Sequence, residues 1–471
     1  MQRTRADKDV FAGIATDVLS DKQARRIQED YEAQRFNQIF PAGSLAIPSM
    51  LVSRTQQMRQ LSALAAELLE KSPSAQQSLI GIVLHGPRGT GKTTLLKAFS
   101  NGMRDTAATQ VINMTGSGEL SSMDALLNYL AAYAPKQSTS TTFQVAISAG
   151  VEGHLKRTTS ELATEQAPLS PAHLLRALAS ATRPILLTID EAHAADPRVL
   201  GSLLNSIRGT IDRRQGISIG IVLAGTPDTL NALRHEDCKA TWFMDRADLE
   251  GRLAAVPNDL SIDDCGRAIR EPLLAAGITI ENTQGFERLL GECKGSPYFL
   301  QLLGSTALSA ASQNDDIADF TRARAIDLTF ERRVNARYHE TWSDLDKKGL
   351  SACARQMGAL WRKSIETGRI IKQGHIYEVI ESGLTHAPRR TGRSEALGRI
   401  EDAEATFEHL GLLWSMTGHI NGPWDLGLPS FFDFVEEQFQ DAQNIRHHRV
   451  LPALEMDMQR LFQEIGPPAQ S

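Results

Sequence analysis

The chain has 471 residues, is 41% hydrophobic and 23% charged, and carries a net charge of −6. That is length enough for about three domains and an ordinary globular composition, which excludes a fibrous or disordered chain. The mildly acidic balance excludes a surface that is basic throughout while leaving room for a local basic patch.

Met1 to Asp9 is too charged for a secretory signal. The longest apolar run, Ile217–Gly225, falls far short of the roughly 20 residues of a membrane span. A cytoplasmic protein with no membrane partner is expected. Cys238, Cys265, Cys293 and Cys353 stand far apart without a C-x-x-C pair, so free thiols are expected rather than zinc ligands or disulfides.

Residues 1–45 are polar and helix-prone over Asp21–Phe40, and read as an N-terminal extension that ends in the turn-rich Pro41–Ser44. Residues 46–260 read as a nucleotide-binding α/β domain. Arg59–Lys71 has helical spacing at Leu61, Leu64, Leu68 and Leu69. Ser78–His85 is a buried strand, Thr93–Gly102 a helix, and Gln110–Met114, Ile185–Ile189 and Ile217–Ala224 are three further strands. Apolar runs separated by helices imply a parallel sheet covered on both faces. Ser138–Thr159 interrupts this rhythm with Ser, Thr and Gly, and alternation at Phe143, Val145 and Ile147 predicts a short strand or hairpin. Gln166–Pro171 is expected to be a loop and Pro171–Ala181 a helix.

Gly86-Pro87-Arg88-Gly89-Thr90-Gly91-Lys92-Thr93 fits G-x-x-x-x-G-K-[ST] at every fixed position, after a strand and before a helix. The glycines allow a tight turn whose amides face phosphates, and the helix start adds its positive end. ATP is the expected ligand, cradled by residues 86–93 with Thr94 beside them. Lys92 would reach the β- and γ-phosphates, and Thr93 would offer its hydroxyl to Mg²⁺. Downstream, the strand at Ile185 ends in Asp190-Glu191. Asp190 is the expected Mg²⁺ carboxylate, and Glu191 the residue that orients and polarises the attacking water.

Asp190-Glu191-Ala192-His193 also spells the DEAH box of superfamily-2 helicases. Those need a second domain with a Q-x-x-G-R-x-x-R-type motif, and Arg389-Arg390-Thr391-Gly392-Arg393, outside any strand-rich setting, is a faint echo. His193 is therefore expected to support the site or face solvent rather than act as a ligand.

With these residues in order, the chain resembles AAA+ ATPases of the origin-recognition and STAND type over roughly residues 50–440. The resemblance implies an α/β P-loop NTPase (AAA+) parallel sheet, a helical lid and a C-terminal winged-helix domain. Leu51–Met58 is similar to the segment that lies against adenine in the family, which implies that Val52 packs on the purine. Gly225-Thr226-Pro227 resembles the end of the sensor-1 strand, implying that Thr226 bonds the γ-phosphate or the water. Gly295-Ser296-Pro297 resembles the G-x-P motif of the lid, implying that Pro297 packs on the nucleotide. The next position often holds a sensor-2 arginine and here holds Tyr298. Arg252 matches the family's arginine before the lid, with Arg246 as its rival; as a finger either would act on a neighbouring subunit, which implies a homo-oligomer.

Residues 261–335 read as the helical lid, 336–440 as the winged-helix domain and 441–471 as a terminal helix and tail. Within 336–440, Leu345–Leu360, Gly374–Gly383 and Glu395–Leu410 are helices, and the segment from Gly411, with its glycine-rich turn at Gly418–Gly422, is the wing hairpin. Arg389, Arg390 and Arg393 precede the third helix, where they would contact the phosphates of double-stranded DNA; acids on that helix oppose this. Two functions follow as expectations, beside a pure nucleotide-binding regulator without useful turnover, which Tyr298 in place of the arginine leaves open and Glu191 argues against. One is an oligomeric ATPase that acts on DNA. The other is a STAND-like switch that controls a separate effector or client protein, in a setting such as defence against phage.

Overall fold

The computed structural model describes residues 54–69, 80–105, 109–133, 171, 183–211, 218–258, 260–275, 279–280, 283–293, 295–311, 317–318, 336, 338–386, 393–416, 422–441 and 445–465. Of these, the residues within 54–85 and 92–254 form one compact unit, and those within 86–91 and 255–471 form a second. The expectations for 1–45, 138–159, 172–181 and the turn at 418–421 lie outside the described residues.

The first unit is built on a sheet. Helix α1 (Thr55–Leu69) precedes β1 (Ile80–His85), and α2 (Lys92–Asp105) leads to β2 (Gln110–Thr115) and α3 (Met123–Tyr133). Next come β3 (Ile185–Asp190), α4 (Pro197–Ile211), β4 (Ile219–Gly225), α5 (Asp228–Arg234), α6 (Thr241–Leu249) and β5 (Leu253–Ala255). The strand order is β2-β3-β4-β1-β5, and the β1–β4, β2–β3 and β3–β4 pairs are all parallel.

Every residue of β4 is buried, as are the first five of β3. Such unbroken apolar strands require a cover on both faces. Leu64 and Leu68 of α1 lie over Gly220 of β4, and Phe243 of α6 lies over Gly81 of β1. Ile80 pairs with Gly220, so Gly81, one residue on, points to the opposite face. The four expected strands are present, each within two residues of its predicted bounds. β5, only three residues long, was not anticipated.

The second unit packs around its own apolar core, which draws on Leu260, Phe286, Phe299, Met357, Phe407 and Phe431 among others. Its lid portion contains α7 (Ile262–Ala275), α8 (Thr283–Glu292) and α9 (Pro297–Ala311), with a two-residue parallel pair, β6 (Thr279–Ile280) and β7 (Ile317–Ala318). Farther along come α10 (Ser351–Thr367), α11 (Gln373–Thr385), α12 (Arg393–His409), the antiparallel hairpin β8 (Leu413–Ser415) and β9 (Trp424–Leu426), α13 (Pro429–Gln440) and α14 (Ile445–Ile465). Ile371, just before α11, forms a bridge to Trp424 of β9.

The helix expected at 345–360 is corrected. Residues 338–347 are one helix and α10 starts only at Ser351. Gly349, at φ 71°, ends the first: its amide donates to Asp346 O and the Leu350 amide to Leu345 O, the paired bonds of a left-handed helix stop. The apolar spacing runs through the break because both helices feed the same core. Among the described residues no helix is long and apolar enough to cross a membrane, and all four cysteines are buried and free.

Candidate functional site: a strand-end phosphate and carboxylate centre

β1, β3 and β4 deliver their carboxyl ends to one edge of the sheet. The ladders pair His85 with Gly225 and Ile189 with Leu223, so Asp190 stands level with Ala224, one strand away from the end of β1. Adjacent strands lie about 4.8 Å apart, which brings the start of α2 and the acids of β3 into one small region of the first unit. A crevice beyond the carboxyl ends of parallel strands is where such sheets bind ligands.

The segment 86–91 joins β1 directly to α2. Gly89 and Gly91 have φ of 84° and 90°, and Thr90 Oγ1 donates to Pro87 O at 3.1 Å. Lys92 opens α2 and is buried, and the helix carries no acid in its first turn. That leaves its positive end for an anion. His85, one residue before the turn, is fully buried; burial, and then the nearby Lys92 charge, lower its pKa to about 4. Thr93 and Thr94 are half-buried and Arg88 is exposed.

Within the second unit, the same turn meets other segments. A β-carbon on Gly89 would stand 2.9 Å from Tyr298 Cβ at the start of α9, beside Pro297. One on Gly427, just after β9, would stand 3.0 Å from Pro87 Cγ. Asn258 Nδ2 donates to Gly427 O at 2.6 Å. Tyr298, the residue after Pro297, thus packs against the turn at 86–91.

At the end of β3, Asp190 Oδ1 accepts the Glu191 amide at 2.9 Å, and Asp190 O accepts the Gly116 amide at 2.7 Å. Glu191 is in the left-handed region, φ 50° and ψ 38°, a conformation that a side-chain-bearing residue adopts only when its surroundings impose it. Gly116 supplies part of that constraint: its bare Cα faces the Glu191 carbonyl, where any β-carbon would collide. Ser117 supplies another, since its Oγ donates to Glu191 Oε2 at 2.9 Å. The turn that carries Ser117 is itself capped by Glu119, whose Oε2 accepts the Thr115 amide at 2.7 Å and the Thr115 hydroxyl at 2.9 Å. Burial opposes ionisation of Glu119, but these bonds outweigh it and its pKa is lowered.

Thr226 follows β4 and is nearly buried. Its hydroxyl donates to Asp228 Oδ2 at 3.4 Å, and its amide donates to His193 Nδ1 at 3.4 Å. Arg252 is held within the first unit: its Nη2 lies 2.9 Å from both oxygens of Glu67, and its Nε is 3.0 Å from Glu250 Oε2. Glu250 also pairs with Arg246 Nε at 2.7 Å. The two candidate finger arginines thus share one ion-pair chain.

Val52, Arg389 and Arg390 lie outside the described residues, and Arg393 is the first residue of α12. Ser117 and the His193–Thr226 link were not anticipated. Their signal in the sequence is no more than a serine between two glycines and a histidine after two acids. Among the described residues no group of three or more His, Cys, Asp or Glu side chains is placed to hold a metal ion. One carboxylate and one hydroxyl, Asp190 and Thr93, are hard oxygen donors of the kind Mg²⁺ takes together with substrate phosphates and water.

No curated protein matches the chain. Solved structures that resemble it include a Walker-type ATPase of Pyrococcus abyssi, 17% identical, covering 82% of this chain and 96% of that one with a TM-score of 0.45. Another is the ORC2 protein of Aeropyrum pernix as ADPNP–ADP complexes, 15% identical, covering 85% and 98% with a TM-score of 0.48. A third is a RuvB mutant of Thermotoga maritima, 14% identical, covering 83% and 96% with a TM-score of 0.37. Residues 78–233 match the family model of the AAA domain, and with the five-stranded parallel sheet and its strand-end centre this part of the chain has the fold of an AAA-type P-loop NTPase.

Proposed function

We propose that this chain is a Mg²⁺-dependent ATPase whose nucleotide state drives assembly or remodelling of a homo-oligomer on double-stranded DNA. The observation that carries the ATPase reading is the strand-end grouping of Lys92, Asp190, Glu191 and Thr226, with Glu191 held in a left-handed conformation.

Each residue has a task in that reaction. Amides of the turn at 86–91 and the start of α2 bind the phosphate oxygens. The Lys92 ammonium bridges the β- and γ-phosphates. The Thr93 hydroxyl and the Asp190 carboxylate would hold Mg²⁺, which would supply charge neutralisation on the phosphate oxygens. Glu191, released from Ser117, orients a water and accepts its proton. The water oxygen bonds to the γ-phosphorus as the bond to the β,γ-bridging oxygen breaks, giving ADP and inorganic phosphate. The Thr226 hydroxyl steadies the water or the γ-phosphate. Phosphoryl transfer asks for positioning and charge neutralisation more than for covalent chemistry, and this residue set supplies both.

The DNA part of the reading draws on residues 336–440 as a winged-helix domain, supported by the succession of α10, α11 and α12, the β8–β9 hairpin that follows them, and the Ile371–Trp424 bridge that sets a third extended segment beside the hairpin. Light scattering of the protein with ATP, with ADP and with neither, in the presence and absence of duplex DNA, tests it. The reading expects a nucleotide-dependent change of mass, and constant mass with no DNA association sinks it.

A second reading, a STAND-like switch acting on a separate effector protein, draws on the contacts of Pro87 with Gly427 and of Gly89 with Tyr298. These give the phosphate turn a route to the C-terminal segments. It expects nucleotide to co-purify with the protein and DNA to have no effect on turnover.

A further inference from the structure

We propose that His193 is a positioning residue of the hydrolytic centre, holding the Thr226 turn to the Glu191 turn through Nδ1. The inference rests on the ATPase reading and deepens it.

The β3–β4 ladder ends at the Ile189–Leu223 pair. Beyond it, one chain carries Asp190 and Glu191 while the other carries Thr226, and the ladder no longer fixes their separation. A short 3-10 turn, Ala192–Ala194, begins immediately after Glu191. It is closed by the Ala194 amide donating to Glu191 O at 2.8 Å. His193, in the middle of that turn, accepts the Thr226 amide on Nδ1 at 3.4 Å. Two hydrogen bonds and one imidazole ring therefore connect the Glu191 backbone to the Thr226 backbone.

Gly225 is the position that admits the ring. A β-carbon there would stand 3.1 Å from His193 Nδ1 and 3.3 Å from the Ala192 nitrogen, and would collide with Thr229 Oγ1. On its other side the Thr226 turn is fixed by the Thr229 amide donating to Thr226 O at 2.9 Å and by the Thr226 hydroxyl donating to Asp228. With these bonds in place, the remaining freedom of the Thr226 amide is taken up by His193. For Nδ1 to accept, the ring must carry its hydrogen on Nε2. Thr226 acts on a reacting group through its hydroxyl, and a displacement of about 1 Å at such a site costs on the order of 100-fold in rate. His193 thus acts on the chemistry through Thr226, without touching the nucleotide.

The test pairs kinetics with a spectrum. His193→Ala is expected to lower kcat about 10- to 100-fold, with KM and the affinity for a fluorescent ATP analogue changed by no more than about twofold. His193→Asn is expected to recover most of that loss, because its amide oxygen sits where Nδ1 sits. His193→Gln, whose acceptor lies one bond farther out, is not. In the nucleotide-free wild-type chain labelled with ¹⁵N-histidine, the resonances missing from the His193→Asn spectrum are expected to be those of an Nε2–H ring. Unchanged kcat in His193→Ala overturns the proposal. So does a loss of folding stability and activity that His193→Asn shares in full, which is the mark of a merely structural ring. An Nδ1–H ring in a wild-type chain that hydrolyses ATP overturns this inference alone, whereas a wild-type chain with no ATPase activity overturns the reading beneath it as well.

Discussion

Ser117 Oγ donates to Glu191 Oε2 at 2.9 Å, so the carboxylate expected to activate water is held by a neighbour from the turn after β2. A hydrogen bond to a charged group contributes about 1.5–3 kcal/mol. It also withdraws that oxygen from other partners. Ser117→Ala is expected to raise basal ATP turnover several-fold with little change in KM, measured by phosphate release without DNA or any partner. Equal turnover in the two proteins would show that the bond does not restrain Glu191.

The Arg252 clamp separates two roles for one residue. Its guanidinium is 19% exposed and bonded to Glu67 and Glu250. Glu67 is 42% exposed, so solvent screens the pair and its contribution is about 1 kcal/mol. Arg252→Ala and Glu67→Ala should each lower stability in urea by about that amount, with a matching coupling in the double mutant. If Arg252 also serves as a finger towards a neighbouring subunit, Arg252→Ala abolishes turnover at intact nucleotide affinity while Glu67→Ala does not. Equal turnover loss in the two variants would assign Arg252 to the clamp alone.

His85 sets a pH dependence. Its folded pKa of about 4 lies below its ordinary 6.5, so as pH falls the unfolded chain takes up the proton first. The stability is fully present above about pH 6.5 and is lost as pH falls towards 4. The gap corresponds to about 3 kcal/mol. His85→Leu should flatten this part of the curve of unfolding free energy against pH. An equally steep curve in the variant would place the acid sensitivity elsewhere.

DNA binding is expected to run through Arg389, Arg390 and Arg393. Replacing all three with alanine should weaken duplex binding at every sequence tested and lessen its salt dependence, measured by fluorescence anisotropy across a salt series. An unchanged slope would remove these arginines from the interface.

The sheet and the phosphate turn were legible because their determinants are local. The runs at Ile185 and Ile219 are apolar throughout, and the Gly86–Thr93 motif is contiguous in the chain. β5 was not legible, since three residues make no period. The break at Gly349 was hidden because residues on both sides of it face one core. The restraints on the centre were beyond the sequence for a different reason. Ser117 reaches Glu191 across 74 positions and Arg252 reaches Glu67 across 185, and no pattern in either partner marks the other. Tyr298 was recognised as a departure from the expected arginine, but its contact with Gly89 depends on how α9 packs.

The central claim is tested most directly by steady-state ATP hydrolysis of the purified chain with and without Mg²⁺, beside Lys92→Ala and Glu191→Gln, with nucleotide affinity measured in each. The account predicts Mg²⁺-dependent turnover that is abolished together with nucleotide binding in Lys92→Ala. In Glu191→Gln it predicts a fall of about 100-fold or more at preserved affinity. Turnover that persists in Lys92→Ala, or that is unaffected by Glu191→Gln, would contradict it.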